Sequence, residues 1–401
     1  MMNSSKALSA VVAGHICLDI LPDFERLGNR DLQSVLKPGR LVQIGAAQFS
    51  SGGPVSNTGL ALHRLGVPVR LIAKIGDDPP GVILKTLVEK KGRGLADGLS
   101  VDPQSATSYS IIISTRATDR IFLHCTGAND TFGPEDIDFS IVEKADLFHF
   151  GYPPALQRMY LDGGRDFVRV MRSAKETGAT TSLDMSLPDP GSESGRTDWR
   201  PIYEAVLPQV DVFLPSLDEL LFTLRRHDFE RMASRGKILD QLTPQLLEDL
   251  SGELMDLGVK IVVIKMGDRG VYLRTAAGDA LEAMGRARPL PESAWALRER
   301  WIPCFKVGVV GTTGSGDSTI AGFLAGLLRR VSIGEALTMA VAVGACNVEA
   351  ADSLSGLRTW EETRERVKAG WEQLPLSIGG EGWRWDETLR MWLGPLEAAQ
   401  P

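Results

Sequence analysis

Cysteine and histidine are both scarce. Cys17, Cys125, Cys304 and Cys346 are the only four cysteines in 401 residues, too few and too scattered for a disulfide framework or a paired-cysteine metal site. They read as reduced, mostly buried thiols of a cytosolic protein. The five histidines (His15, His63, His124, His149 and His227) share no metal-ligand spacing, so no transition metal is assigned. Long apolar runs are missing as well. The longest, residues 320–328, falls far short of the ~20 residues that span a bilayer. Near the start, His15 and Asp19 interrupt the apolar stretch and no small-residue cleavage pattern follows, so a secretory signal is not expected. No basic stripe stands out. With 44 Lys+Arg against 51 Asp+Glu the net charge is −7, which speaks against nucleic acid as a partner. What remains is an ordinary balance, 43% apolar and 24% charged. It suits a cytoplasmic globular protein acting on small molecules, with no membrane partner, whose core needs no covalent staple.

Neither repeats nor low-complexity segments are visible. Short apolar runs at 9–13, 67–75, 145–150, 179–184, 211–215 and 260–266 read as strands. Most are continuous rather than alternating, as in a parallel sheet covered on both faces. Helix-like stretches at 55–65, 157–177, 217–225, 244–257, 318–330 and 333–351 fall between them. Thr243-Pro244 makes a good helix start, and Gly258 a good stop. Such alternation predicts an α/β fold of three layers around a doubly wound, mostly parallel sheet. Two segments break it: 21–51, rich in turn residues with a β-like piece at 41–44, and 107–126, which reads as a hairpin turning at 115–119. Both suit a small β-sheet lid over a cleft. Five of the eight tryptophans (Trp360, Trp371, Trp383, Trp385, Trp392) crowd the C-terminal end. Their density points to packing on the parent domain or on a second subunit.

The most informative stretch is Gly311-Thr312-Thr313-Gly314-Ser315-Gly316-Asp317-Ser318, which opens a helix. Glycines at a helix entrance let backbone N–H groups converge on an anion, and the helix dipole adds roughly half a positive charge. The frame nearly matches a P-loop, but Asp317 stands where the lysine belongs. A carboxylate beside a phosphate cradle makes sense if it takes a proton from an attacking hydroxyl. Elsewhere, Ser51-Gly52-Gly53-Pro54 precedes a helix that carries Asn57 one turn in, a donor and acceptor for a polyol. Asp19, ending the first strand, sits where ligands of open α/β sheets bind. Taken singly, each has a plainer reading: a helix cap, a tight turn, a capped turn.

Together the three pieces resemble the ribokinase-like (PfkB) family of carbohydrate kinases. Gly52-Gly53-x3-Asn57 is similar to its first signature. Gly314-x-Gly316-Asp317 followed by Ala321-Gly322-Phe323-Leu324 is similar to its second. Ile75-Gly76-Asp77-x3-Gly81, Gly127-Ala128-Asn129 and Lys265-Met266-Gly267-Asp268-Arg269-Gly270 recur in order, and the resemblance spans about 9–366. It implies ATP- and Mg2+-dependent phosphorylation of a hydroxymethyl group on a sugar or sugar-like acceptor. Asp317 would be the base, and the backbone of Gly314, Ser315 and Gly316 the anion hole. Asp19, Gly52, Gly53 and Asn57 would hold the acceptor; Lys265, Gly267, Gly270 and Glu219 would serve the nucleotide and its magnesium. The implied layout is a kinase domain over 1–366, with a discontinuous lid from about 20–51 and 107–126 that joins two subunits in many members. A Trp-rich extension over 367–401 would follow. A nucleoside acceptor, or a nucleotide- or sugar-binding regulatory protein without phosphotransfer, stays open. A dinucleotide-dependent dehydrogenase does not, because no GxGxxG follows the first strand.

Three departures stand out. Gly311 replaces the aspartate that helps the family hold a monovalent cation, so potassium activation is not expected. Ser216 replaces the asparagine that opens the family's Asn-x-x-Glu motif, and Lys265 replaces a common threonine. Insertions at 226–242 and 280–303 exceed the usual length; the second, carrying Arg298, Arg300 and Trp301, reads as a surface loop. His124 falls in the lid, and Asp184 at a strand end fits either the cleft or a turn.

Overall fold

A computed structural model describes residues 7–24, 37–113 and 121–398. The proposed hairpin turn at 115–119 and part of the 21–51 segment lie outside them. Fifteen strands are present among the described residues: β1 Ala10–Gly14, β2 Cys17–Leu21, β3 Gln48–Gly52, β4 Val69–Gly76, β5 Leu99–Asp102, β6 Tyr109–Ile113, β7 Ile121–Cys125, β8 Leu147–Gly151, β9 Thr180–Leu183, β10 Val212–Phe213, β11 Ile261–Lys265, β12 Val271–Thr275, β13 Glu299–Ile302, β14 Arg384–Asp386 and β15 Met391–Leu393. The longer helices are α1 Pro54–Arg64, α2 Pro79–Glu89, α3 Arg165–Glu176, α4 Leu217–Leu224, α5 Arg226–Ala233, α6 Pro244–Asp256, α7 Ser315–Leu328, α8 Ile333–Asn347 and α9 Trp360–Lys368.

Eleven strands form one sheet in the order β14-β15-β13-β12-β11-β10-β9-β8-β1-β4-β5. From β5 to β11 every pair is parallel; from β11 onward the pairs are antiparallel. The continuous apolar strands follow from burial on both faces. In β1, Ala10 and Val12 join one core cluster and Val11 and Ala13 the other, so alternation is lost. Each fully buried Val, Leu or Ile contributes about 1.5–3 kcal/mol. A second sheet, β3-β2-β6-β7, stands apart as the small lid. The architecture is therefore the mostly parallel α/β sheet with a lid that the sequence predicts.

Several boundaries differ from expectation. The 41–44 piece is not a strand; β3 starts at Gln48. The helix expected at 157–177 is short 3-10 turns followed by α3, broken where Asp162, Gly163 and Gly164 adopt left-handed backbone. The 280–303 insertion is not merely a surface loop. Its end is β13, where Glu299, Arg300, Trp301 and Ile302 are all buried, and Trp301 Nε1 donates to the Arg269 carbonyl at 2.8 Å. Arg300 and Arg298 both reach Glu397 instead of the cleft.

The C-terminal segment extends the sheet. β15 pairs with β13, and β14 with β15. Trp371 stacks on Phe305 at 4.5 Å, and Trp383 packs edge-on against Trp301. The segment thus buries aromatic surface on the same domain and covers what would be the β13 edge.

Candidate active site

Helix α7 begins at the glycine-rich turn. Its N-cap, Gly314, has φ 72, a conformation open to glycine at no steric cost. The space a Cβ would need there is filled by Ser353. Asp317, two residues into the helix and 2% exposed, stands beside the first-turn amides, which lack carbonyl partners inside the helix. Of the amides expected to form an anion hole, at Gly314, Ser315 and Gly316, the Ser315 N–H is turned onto the Thr312 carbonyl at 3.3 Å. Gly316 and Asp317 supply the remaining amides of the turn.

Three side chains converge on the Asp317 carboxylate. Asn57 Nδ2 donates to Oδ2 at 3.0 Å, Tyr152 Oη to the same oxygen at 3.1 Å, and Thr58 Oγ1 to Oδ1 at 3.3 Å. Asn57 and Thr58 arrive on α1, whose first turn follows Gly53-Pro54. Tyr152 follows β8 in left-handed backbone, φ 59 and ψ 51. Burial pushes the Asp317 carboxyl above its usual range, and the Asn57 hydrogen bond, the Lys265 charge and the Tyr152 and Thr58 hydroxyls pull it back. The outcome is a carboxylate more basic than one in water. Asn57 Oδ1 is buried without a hydrogen-bond partner, leaving one acceptor beside Asp317 unsatisfied.

Asp19 is not at the end of the first sheet strand. It lies on β2 of the lid, paired with Ser50 and Ser110, 6% exposed. A Cβ on Gly52 would overlap its carboxylate, which accounts for the glycine. Burial, partly offset by hydrogen bonds from Cys17 and Ser110, raises the Asp19 carboxyl to about 6.

Lys265 closes the opposite wall. It does not project to solvent: its Nζ is 2.7 Å from Asp184 Oδ1. Burial works against its charge, but Asp184 and Glu219 outweigh that and hold the ammonium protonated. A Cβ on Gly316 would sit 3.8 Å from this Nζ, so the ammonium faces the α7 entrance. Glu219 and Ser216 form a reciprocal cap at the start of α4, with Ser216 N–H on Glu219 Oε2 at 2.6 Å. Beyond Lys265 a cavity of about 220 Å³ runs between β11, α7 and α8. Gly267, Gly270, Thr312, Ser315 and Gly316 line it together with the apolar Phe305, Val341, Val348 and Leu374.

A family model described as pfkB family carbohydrate kinase matches residues 9–360. The chain belongs to that family. Among its relatives, an ATP-dependent ribose-1-phosphate kinase of Halopiger xanaduensis is 26% identical over 333 residues, covering 83% of this chain and 89% of that protein. Fructokinase-1 of Zea mays is 25% identical over 288 residues, 70% of this chain and 73% of the other. In fold, the chain is similar to Arabidopsis thaliana ribokinase complexed with ribose and ATP (TM-score 0.64, 18% identity, 90% of this chain and 99% of that one). It is also similar to a fructokinase with bound ATP from Xylella fastidiosa (TM-score 0.65, 16% identity, 90% and 98%).

This pfkB-family chain thus gathers Asn57, Gly316 and Asp317 at one place, with Lys265 across from them and Asp19, Gly52 and Gly53 at the lid side. Gly267 and Gly270 lie further along the cavity, and Glu219 is behind Lys265. Sequence reasoning missed Thr58 and Tyr152 as partners of Asp317. The position of Tyr152, a large polar residue just past a buried strand at the carboxyl edge of the sheet, was the available signal. It also left Asp184 undecided between cleft and turn; the pairing with Lys265 puts it in the cleft wall.

Proposed function

We propose that this carbohydrate kinase transfers the γ-phosphoryl group of ATP to a hydroxymethyl group of a sugar or sugar-like acceptor, with Asp317 as general base. The observation that carries this reading is the Asp317 carboxylate: buried, raised by burial, and set beside the first-turn amides of a helix.

The acceptor lies between the lid strand β2 and α1, with hydroxyls on Asp19 and on the unsatisfied Asn57 Oδ1. Asp317 takes the proton of the attacking hydroxyl as its oxygen bonds to phosphorus and the bond to the ADP oxygen breaks. The amides of Gly316 and Asp317, backed by the helix dipole, meet the charge on the transferring group. Lys265 adds a fixed positive charge on the same side. The Gly267–Gly270 turn and the cavity beyond it hold the nucleotide. Glu219, an oxygen-only carboxylate, is the residue that would hold magnesium, and the ion would supply positive charge to neutralise the phosphates. A closed lid excludes water and suppresses futile hydrolysis. Exposed Phe49, Phe122 and Leu123 on the lid suit a second copy of the chain. Gly311 brings no carboxylate to the loop carbonyls of Ala350 and Ala351 beside it, so potassium is not required.

The test is ADP release across a panel of sugars, sugar acids, polyols and nucleosides. Acceptor-dependent ADP formation with a free sugar supports the reading. Turnover with nucleosides alone, or nucleotide binding with no ADP from any acceptor, overturns it.

A further inference from the structure

The fold brings His124 up to two donors that lie close together near the start of the chain. His15 lies in the short connection between β1 and β2, Cys17 opens β2, and His124 is on β7. One ligand atom from each lies within 4.8 Å of the other two. We propose that His15, Cys17 and His124 form a binding site for one thiophilic divalent cation, zinc being the ion whose chemistry they fit.

The donor set is the first argument. Two imidazoles and a thiolate suit zinc, and three protein ligands leave a fourth, open position. Magnesium and calcium take oxygen and are excluded by the same set. The second argument is an unmet demand. His15 is 4% exposed, and both of its ring nitrogens are buried with no hydrogen-bond partner. Buried polar atoms without partners are rare and costly, and a metal bond satisfies one of these.

The surroundings fit as well. Ser110 Oγ is 2.9 Å from His124 Nδ1, which leaves Nε2 as the ligating nitrogen and orients the ring. Cys17 Sγ donates to Asp19 Oδ1 at 3.4 Å. On metal binding the thiol proton passes to solvent as the sulfur–metal bond forms, with no change of oxidation state. Asp19, freed of that hydrogen bond, or a water completes the tetrahedron. Bonds of about 2.0–2.3 Å put tetrahedral ligands roughly 3.3–3.8 Å apart. Closing from the present spacing takes a shift on the order of an ångström, within reach of the exposed lid strand that carries His124. The site stands one hydrogen bond from Asp19, so a cation there compensates the charge of that carboxylate. The metal site itself does not depend on the phosphotransfer reading.

The experiment uses the full chain, freed of metal by chelation and then titrated with Co2+ and Zn2+. Expected are one equivalent of bound metal by elemental analysis, a thiolate-to-cobalt charge-transfer band with the visible bands of a tetrahedral ion, and displacement of cobalt by zinc. Cys17→Ser abolishes the charge-transfer band; Cys125→Ser and Cys304→Ser retain it. His124→Gln, on an exposed strand, gives a folded protein that loses metal. Ser110→Ala, which leaves the ligands in place but frees the His124 ring, weakens binding about 10–100-fold. No bound metal at equimolar addition, an octahedral cobalt spectrum, or a band that survives Cys17→Ser and is lost with Cys125→Ser would each overturn the assignment.

Discussion

Asn57 and Asp317, 260 positions apart in the chain, meet in a 3.0 Å hydrogen bond from Nδ2 to Oδ2. The helix after Gly53 and the helix after Gly314 therefore face each other across a single carboxylate. Replacing Asp317 by Asn keeps the shape of the side chain while removing the proton acceptor. Asp317→Asn is expected to fold and bind nucleotide normally but to lose on the order of 10²–10⁴ in kcat. Steady-state kinetics beside nucleotide titration checks this; unchanged turnover removes the base assignment.

Tyr152→Phe deletes one donor to the Asp317 carboxylate. Hydrogen bonds to the charged form favour it, so their loss moves the Asp317 pKa further up. The acidic limb of the kcat/KM profile is expected to shift to higher pH, with a lower plateau. A profile superimposable on that of the unsubstituted enzyme contradicts the contact.

Lys265→Met leaves Asp184 buried opposite an apolar chain. Removing one partner of a buried ion pair costs about 3–5 kcal/mol, so the thermal midpoint is expected to fall by several degrees. The double change Lys265→Met with Asp184→Leu recovers much of the loss in stability but not the affinity for ATP. Differential scanning fluorimetry and nucleotide titration separate the two effects.

Asp19 gives stability a pH dependence of definite sign. Its carboxyl is raised from the usual 3.8 to about 6, so between those values the folded state holds a proton that the unfolded chain has released. Stability from this group is greatest below about pH 4 and declines as pH rises to about 6, by on the order of 3 kcal/mol. Asp19→Asn is expected to be more stable than the unsubstituted protein at pH 7, with the difference vanishing near pH 4, and to show a raised acceptor KM. Urea denaturation at several pH values measures the first, and a difference independent of pH rejects it.

Glu397→Ala strands Arg300, whose guanidinium meets the Glu397 carboxylate at 2.7 Å with both side chains almost wholly covered. A loss of about 3–5 kcal/mol is expected, together with weaker ATP binding if the C-terminal segment loosens beside Leu374. The double change Arg300→Leu with Glu397→Leu restores most of the stability. No change in the unfolding midpoint of the single variant shows that the pair does not hold the segment.

What the sequence makes legible depends on how local the signal is. Strands β1, β4, β8, β10 and β11 announce themselves because they are covered on both faces and read as largely apolar runs. The α7 entrance is legible because backbone geometry demands glycine there. Beyond β11 the signal fades. In β13, Glu299 and Arg300 are buried by pairing with Tyr272 and Glu397, so two charged residues break the apolar run and the strand reads as a loop. The site follows the same rule. Asn57 and Asp317 carry their own glycine turns, whereas Tyr152, Asp184 and the His15-Cys17-His124 group owe their positions to strand pairing that no local pattern encodes.

The cavity beyond Lys265 takes part of its apolar wall from Leu374, whose N–H bonds to the Cys304 carbonyl at 2.8 Å. Ribosomes deliver a chain from its amino end at roughly 5–20 residues per second. A nascent molecule has therefore made Asp317 and its glycine turns well before that wall arrives. The cavity is complete only when translation has passed Leu374, which on the proposed reading ties the onset of phosphotransfer to the last stage of synthesis.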